Sequence, residues 1–153
     1  TTIIMSEECP SCSQLVVKGA GSRNNRPSTP VAYQIFFDSI HRVVAGFRNT
    51  NGDLAVIRGP NVRDTDFHHY AYVRRGNINT LYFDGAAVQT GTFTLGPSDT
   101  TGLPLTFGGT HDSTGAPQYF TGVIDEVEVF NRALAAHEIK AIYDAGASGK
   151  VKP

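Results

Sequence analysis

The chain has no tryptophan, one methionine and only two cysteines in 153 residues. Two cysteines cannot staple a disulfide-rich scaffold, so stability has to come from a packed core. A chain of this length buries enough apolar surface for that. No apolar run approaches the roughly 20 residues of a membrane-crossing helix. The nearest, residues 31–37, is interrupted by Gln34. Insertion of that kind is not expected. A charge excess of one sign is lacking too. Thirteen basic against 14 acidic side chains leave a net charge of −1, which excludes a general nucleic-acid binder. With 40% hydrophobic and 18% charged residues the composition is neither disordered nor coiled-coil. Helical periodicity is almost missing.

What is present is turn and strand chemistry. Sixteen glycines and eight prolines punctuate the chain, and threonine, a strand former, occurs 15 times. Strands are expected at 13–18, 31–38, 42–48, 54–58, 68–75, 80–83, 86–88, 92–95, 105–107 and 120–130. In 31–38, Val31, Tyr33, Ile35 and Phe37 alternate with Ala32, Gln34, Phe36 and Asp38. In 42–48, Val43, Ala45 and Phe47 share one face, and Arg42, Val44, Gly46 and Arg48 the other. Asn51-Gly52, Gly76-Asn77 and Asp84-Gly85 are tight-turn signals, and Gly59-Pro60 is expected to break the chain. Only 134–143 carries helical spacing, through Leu134, Ile139, Ile142 and Tyr143, with Gly146 as its cap. The expected fold is all-β: an antiparallel two-sheet jelly-roll sandwich with one short C-terminal helix. Residues 1–146 form the domain and 147–153 a tail.

Cys9 and Cys12 lie in Glu-Glu-Cys-Pro-Ser-Cys. A redox dithiol would want a helix N-terminus, which this context lacks. A zinc site would want about four ligands, and spacing supplies only this pair. A local disulfide pinning a turn is the favoured reading, and it fits an oxidising compartment. Residues 1–5 lack the basic start and apolar stretch of a signal peptide. Charge is uneven along the chain. Residues 15–78 hold nine basic and four acidic side chains, and residues 79–145 hold two and eight. Three readings stand: charges mixed by interleaving, an arginine-lined surface for an acidic or hydroxyl-rich ligand, or head-to-tail packing of copies.

Two segments resemble a known family. The first is Asp66-Phe67-His68-His69-Tyr70-Ala71-Tyr72-Val73 followed by Leu81-Tyr82-Phe83-Asp84-Gly85. It is similar to the Trp-His-His-Val-Ala … Leu-Tyr-Val-Asp-Gly hairpin of laminin G-like, concanavalin A-like jelly rolls, with Phe67 where tryptophan is usual. The second runs from Phe120-Thr121-Gly122-Val123-Ile124-Asp125-Glu126-Val127-Glu128-Val129-Phe130 through Asn131-Arg132-Ala133-Leu134 to His137-Glu138-Ile139 and Tyr143. It resembles the closing strand and helix of the same superfamily, of which pentraxins carry a related version. Pro104-Leu105-Thr106-Phe107-Gly108 matches the short strand before that closure. The resemblance implies one or two strands ahead of the part seen here, for which residues 1–5 supply only a stub. An uncovered strand edge is a template for pairing, so self-association or a protein partner is a second expectation.

Alternation puts Asp125 with Val123, Val127 and Val129, so a bulge is expected near it. The resemblance makes Asp125 a candidate ligand of a structural calcium. The glycosidases of this fold carry Glu-x-Asp-x-(x)-Glu on one strand; here the first position is Val123, so catalysis is not expected. The remaining expectation is a non-catalytic carbohydrate-binding, lectin-like module, extracellular or at the cell surface, with a glycan or polysaccharide partner. Sugar rings stack on aromatics and their hydroxyls bond to polar side chains. The Tyr70/Tyr72 face or the Gln34/Arg42/Arg48 face could carry such a site. Arg42, Arg48, Tyr70, Tyr72, His111 and Asp112 are the expected ligand contacts.

Overall fold

The computed structural model describes residues 2–5, 13–20, 30–110 and 119–146. Its strands are β1 (Thr2–Met5), β2 (Ser13–Gly19), β3 (Val31–Phe37), β4 (Arg42–Arg48), β5 (Leu54–Asn61), β6 (His68–Arg75), β7 (Ile78–Phe83), β8 (Ala86–Thr92), β9 (Leu105–Phe107) and β10 (Gly122–Asp125). One helix follows, α1 (Ala136–Ala145). The strands form two five-stranded sheets in the orders β10-β1-β6-β7-β8 and β5-β4-β3-β2-β9. Every pairing is antiparallel. This is the all-β sandwich with a terminal helix that alternation and turn spacing predict.

The main core lies between the sheets. Phe37, Val43, Ala45 and Leu81 are without exposure there, and Tyr70 retains 2%. Phe37 meets the Tyr70 ring edge-on at 5.8 Å, which suits the opposed charge of ring face and edge. A bulge between Gln14 and Val16 turns both Leu15 and Val16 into this core. A second cluster sits on the other face of the first sheet. Tyr82, Leu134 and Ile139 pack there with Ala71, Val73 and Ile142. The alternation of β6 divides its residues between the two clusters, and α1 covers the outer one.

Four details depart from the sequence expectation. Strand β5 runs through Gly59 and Pro60 instead of stopping. It is an edge strand, where a missing N–H costs no ladder bond, and its register with β4 shifts there. β8 runs unbroken from the expected strand 86–88 to Thr92, accommodated by a register shift opposite Leu81 and Tyr82, and 93–95, expected as strand, is not one. The closing strand is short: β10 ends at Asp125, and Glu126 adopts φ +51°. The expected bulge is thus a strand end. The stub at the N-terminus is not peripheral, because β1 lies between β10 and β6.

Candidate functional site

Alternation in β3, β4 and β5 builds the outer face of the second sheet. Gln34 pairs with Gly46, Phe36 with Val44, Val44 with Arg58 and Gly46 with Val56. On β2, Gln14 stands opposite Phe36 and Val17 opposite Gln34. Gln34, Arg42 and Arg48 therefore share this face, opposite the core-facing Val43, Ala45 and Phe47. The face is graded in exposure. Arg58 is exposed, and Phe36, Arg42 and Val56 are half-buried. Gln14 and Gln34 retain 1% each, yet the Oε1 atom of each has no hydrogen-bond partner. A buried amide oxygen normally has a donor. Gly46, opposite Gln34, is pressed against β5, since a Cβ there would lie 2.1 Å from the Ala55 carbonyl oxygen.

The sheet also gathers charge. Strands β2 to β5 come from the basic stretch of the chain, while β7, β8 and β10 of the other sheet come from the acidic stretch. Arg42 is held by Asp38, with Nη2 2.8 Å and Nε 2.9 Å from Oδ2. Burial pushes the Asp38 carboxyl up, but hydrogen bonds from Arg42 and Ile40 outweigh it and hold the group below its ordinary value.

The expected contacts divide. Arg42 reaches the open margin of the face. Arg48, expected to meet ligand, is only 2% exposed and its Nη1 donates to the Gly52 carbonyl at 2.8 Å. It ties the hairpin of β4 and β5. Tyr70 and Tyr72 do not form an exposed platform. Both point into the sandwich, where Tyr70 packs on Phe37 and Phe83. The Tyr72 hydroxyl donates to Asn79 Oδ1 at 2.6 Å. Burial raises both phenols far above their ordinary value. The correction has one cause: odd and even positions of β6 swap between core and helix, and the aromatic pair takes the core. His111 and Asp112, and the Cys9–Cys12 pair, lie outside the described residues. Sequence reading missed Gln14 and Arg58, which only strand pairing brings beside Phe36 and Val44.

Asp125, the expected calcium ligand, ends β10. It is exposed, and its Oδ1 accepts the Glu126 N–H at 2.8 Å. Among the described residues no three His, Cys, Asp or Glu side chains converge as a cation would require.

His68 belongs to a different cluster. Its Nδ1 lies 2.8 Å from Asp84 Oδ2 and its Nε2 2.8 Å from Asp64 Oδ1. Asp84 Oδ1 also accepts the His69 N–H at 2.9 Å. The imidazole stacks on Phe83 at 4.7 Å. Burial lowers its pKa, and the two carboxylates more than reverse this, leaving it raised. The cluster locks the entry of β6 to the turn between β7 and β8; it presents no nucleophile.

A cleft of about 460 Å³ opens in the first sheet. One wall is β6 from His69 to Arg74, and the other is 127–134. Val16, Tyr33 and Ile35 of the second sheet lie at its core side, and Leu134, Ile139 and Ile142 at its helix side.

The family model described as the concanavalin A-like lectin/glucanases superfamily matches residues 4–140. The chain belongs to that superfamily. Among solved structures it is similar to the CBM40 module of the Ruminococcus gnavus IT-sialidase, with 21% identity, 93% of this chain and 78% of that chain covered, and a TM-score of 0.71. The same module bound to alpha2,3 sialyllactose gives 21% identity, the same coverage and 0.72. A heptameric SAP-like pentraxin from Limulus polyphemus aligns at 14% identity over 95% of this chain and 68% of that one, with a TM-score of 0.63. At these identities the likeness is one of fold. No curated protein matches the chain.

Proposed function

We propose that the protein is a non-catalytic carbohydrate-binding module that meets its glycan on the outer face of the second sheet. The observation that carries this reading is the accessible part of that face, where exposed Arg58 and half-buried Phe36 flank Val44 and half-buried Arg42 stands at the margin. Guanidinium groups bond sugar hydroxyls and carboxylates. Half-buried Phe36 offers an apolar surface for a ring. Membership of the lectin/glucanase superfamily supports the ligand class, as does the similarity to a module whose structure holds sialyllactose. Val123 in place of the first glycosidase carboxylate supports binding without turnover. The same reading puts the protein outside the cell or on its surface.

A glycan array carrying sialylated and neutral oligosaccharides tests it. Binding is expected, and Arg58→Ala and Arg42→Ala are each expected to weaken the best hit about tenfold, the scale of a charged hydrogen bond. An array without hits, or hits indifferent to both substitutions, overturns it.

A further inference from the structure

His68 grips two segments of the chain at once. Its Nδ1 meets Asp84 in the turn between β7 and β8, and its Nε2 meets Asp64 in the segment that joins β5 to β6, each at 2.8 Å. Carboxylate oxygens accept and do not donate, so both ring nitrogens must carry hydrogen for both contacts to be bonds. Only the imidazolium does. A neutral ring has one N–H, and its other nitrogen turns a lone pair on the carboxylate it faces. The two grips are unequal. The Asp84 side chain is 27% exposed against 52% for Asp64, and its Oδ1 is fixed by the His69 N–H. Beyond His68, Asp64 has a bond within its own segment, from the Asp66 N–H at 3.2 Å. The hydrogen that a neutral ring keeps is therefore the one on Nδ1, and Asp64 loses its donor. The other neighbours of the ring bring no charge at neutral pH. Phe83 stacks on it at 4.7 Å, Tyr70 lies 6.4 Å away, and Ile3 is its register partner in β1.

The segment that Asp64 ties down has little burial of its own. Val62 is in the core and its N–H donates to the His41 carbonyl at 3.0 Å, but residues 63–67 are all exposed, Asp66 among them. Its first exposed residue reaches the face described above. Arg63 Nε donates to Asn61 Oδ1 at 3.1 Å, and Asn61 stands opposite Arg42 in the pairing of β4 with β5. With the segment held, a second guanidinium sits beside Arg42 at the margin of the outer face. Arg42 is paired with Asp38, so Arg63 adds positive charge where Arg42 alone adds little.

We propose that His68 is a proton-operated latch: the imidazolium pins segment 63–67 to the sandwich, the neutral imidazole releases it, and the release withdraws Arg63 from the margin of the glycan face. The regulation of glycan binding rests on the function proposed above, whereas the latch does not. Its direction follows from the ring's surroundings. Burial favours the neutral ring, and the hydrogen bonds to Asp84 and Asp64 more than reverse this. The latch therefore opens above the ordinary histidine value of about 6.5 and is closed at acid pH.

The test follows the His68 ring titration and the backbone order parameters of residues 64–66 by NMR from about pH 5.5 to 8.5. The order parameters are expected near 0.85 at the acid end and below about 0.6 at the alkaline end, with the change tracking the His68 titration. Two surface variants fix the cause. In Asp64→Asn the amide Nδ2 can donate to the neutral Nε2, so the segment should stay ordered at the alkaline end. In Asp64→Ala it should be mobile throughout. Order that is the same at both ends, a change that tracks another group, or an Asp64→Asn segment that still loosens overturns the latch. The best glycan hit should bind about threefold more tightly at the acid end, the scale of one exposed charge contact. That preference should vanish in Arg63→Ala. Release of the segment without a change in affinity overturns the regulation. An array without hits removes the regulation together with the glycan reading, and the order parameters, read without glycan, still decide the latch.

Discussion

Tyr72 ends on Asn79, a side chain with no exposure whose Nδ2 is itself donated to the Asn77 carbonyl at 2.9 Å. Removing the phenol oxygen leaves Asn79 Oδ1 buried without that donor. Tyr72→Phe is therefore expected to cost about 1–3 kcal/mol, the penalty of an unsatisfied buried acceptor, measured by urea denaturation. His68 is the second residue whose environment makes a definite demand. Its folded pKa is raised by Asp84 and Asp64 against the opposing effect of burial. The stabilisation it supplies is complete below its unfolded value, about pH 6.5. It is lost as pH climbs through the higher folded value. Between pH 6 and 8.5 the protein should lose stability that His68→Gln does not lose. The difference should be about 1 kcal/mol or less, since solvent screens a half-buried pair. Denaturation midpoints across that range check the sign; a difference that grows toward alkaline pH would contradict it.

At the scale of elements, close approach matters more than propensity. Gly59 lies where β5 crosses the first sheet. A Cβ there would stand 2.7 Å from Val43 Cγ1 and 2.8 Å from Leu81 Cδ2, side chains of the two opposed sheets. Gly59→Ala is expected to overpack this point by about 1–3 kcal/mol and lower Tm by several degrees. A scanning calorimetry trace unchanged by the substitution would contradict the reading. α1 makes a different use of sequence. Ala135 at its N-cap has no side-chain acceptor, so Glu138 takes the role, its Oε2 accepting the Ala135 N–H at 2.7 Å. The same carboxylate receives both arms of Arg132. Arg132 first, then the Ala135 N–H, holds the Glu138 carboxyl at about 2. A depressed carboxylate contributes above its unfolded value and fails as pH falls through the folded one. The first turn of α1 should keep its amide protection to about pH 3 and lose it in Glu138→Ala at neutral pH.

For the whole molecule, the two sheets share one core, from Leu15 and Phe37 on one side to Tyr70 and Leu81 on the other. This shared core holds more buried residues than the cluster under α1, so unfolding is expected in one cooperative step. The lack of tryptophan makes this easy to see. Intrinsic fluorescence comes from six tyrosines, of which Tyr70 sits in the shared core and Tyr82 in the cluster under α1. Tyrosine fluorescence and far-ultraviolet circular dichroism should give the same urea midpoint. Separate midpoints would mean that the helix-covered cluster melts independently.

Alternation of polar and apolar side chains, placed between Asn-Gly and Asp-Gly turns, determined the strands, their faces and the class of fold, because the period of a strand is a local property of the backbone. It determined the family too, through the hairpin around His68-His69 and the closing run to Ile139. It grouped Gln34, Arg42 and Arg48 on one face for the same reason. Which face of β6 would be the core was not local. Tyr70 and Tyr72 on one side and Ala71 and Val73 on the other are both apolar enough to be buried, and both are. Only the position of α1 assigns each. The fate of the closing segment was likewise decided in three dimensions. Its composition is that of a strand from 120 to 130, but a strand exists only where another pairs with it, and β1 reaches no farther than Asp125. Partners distant in the chain, not propensity, set where that strand ends, and so where the sheet opens.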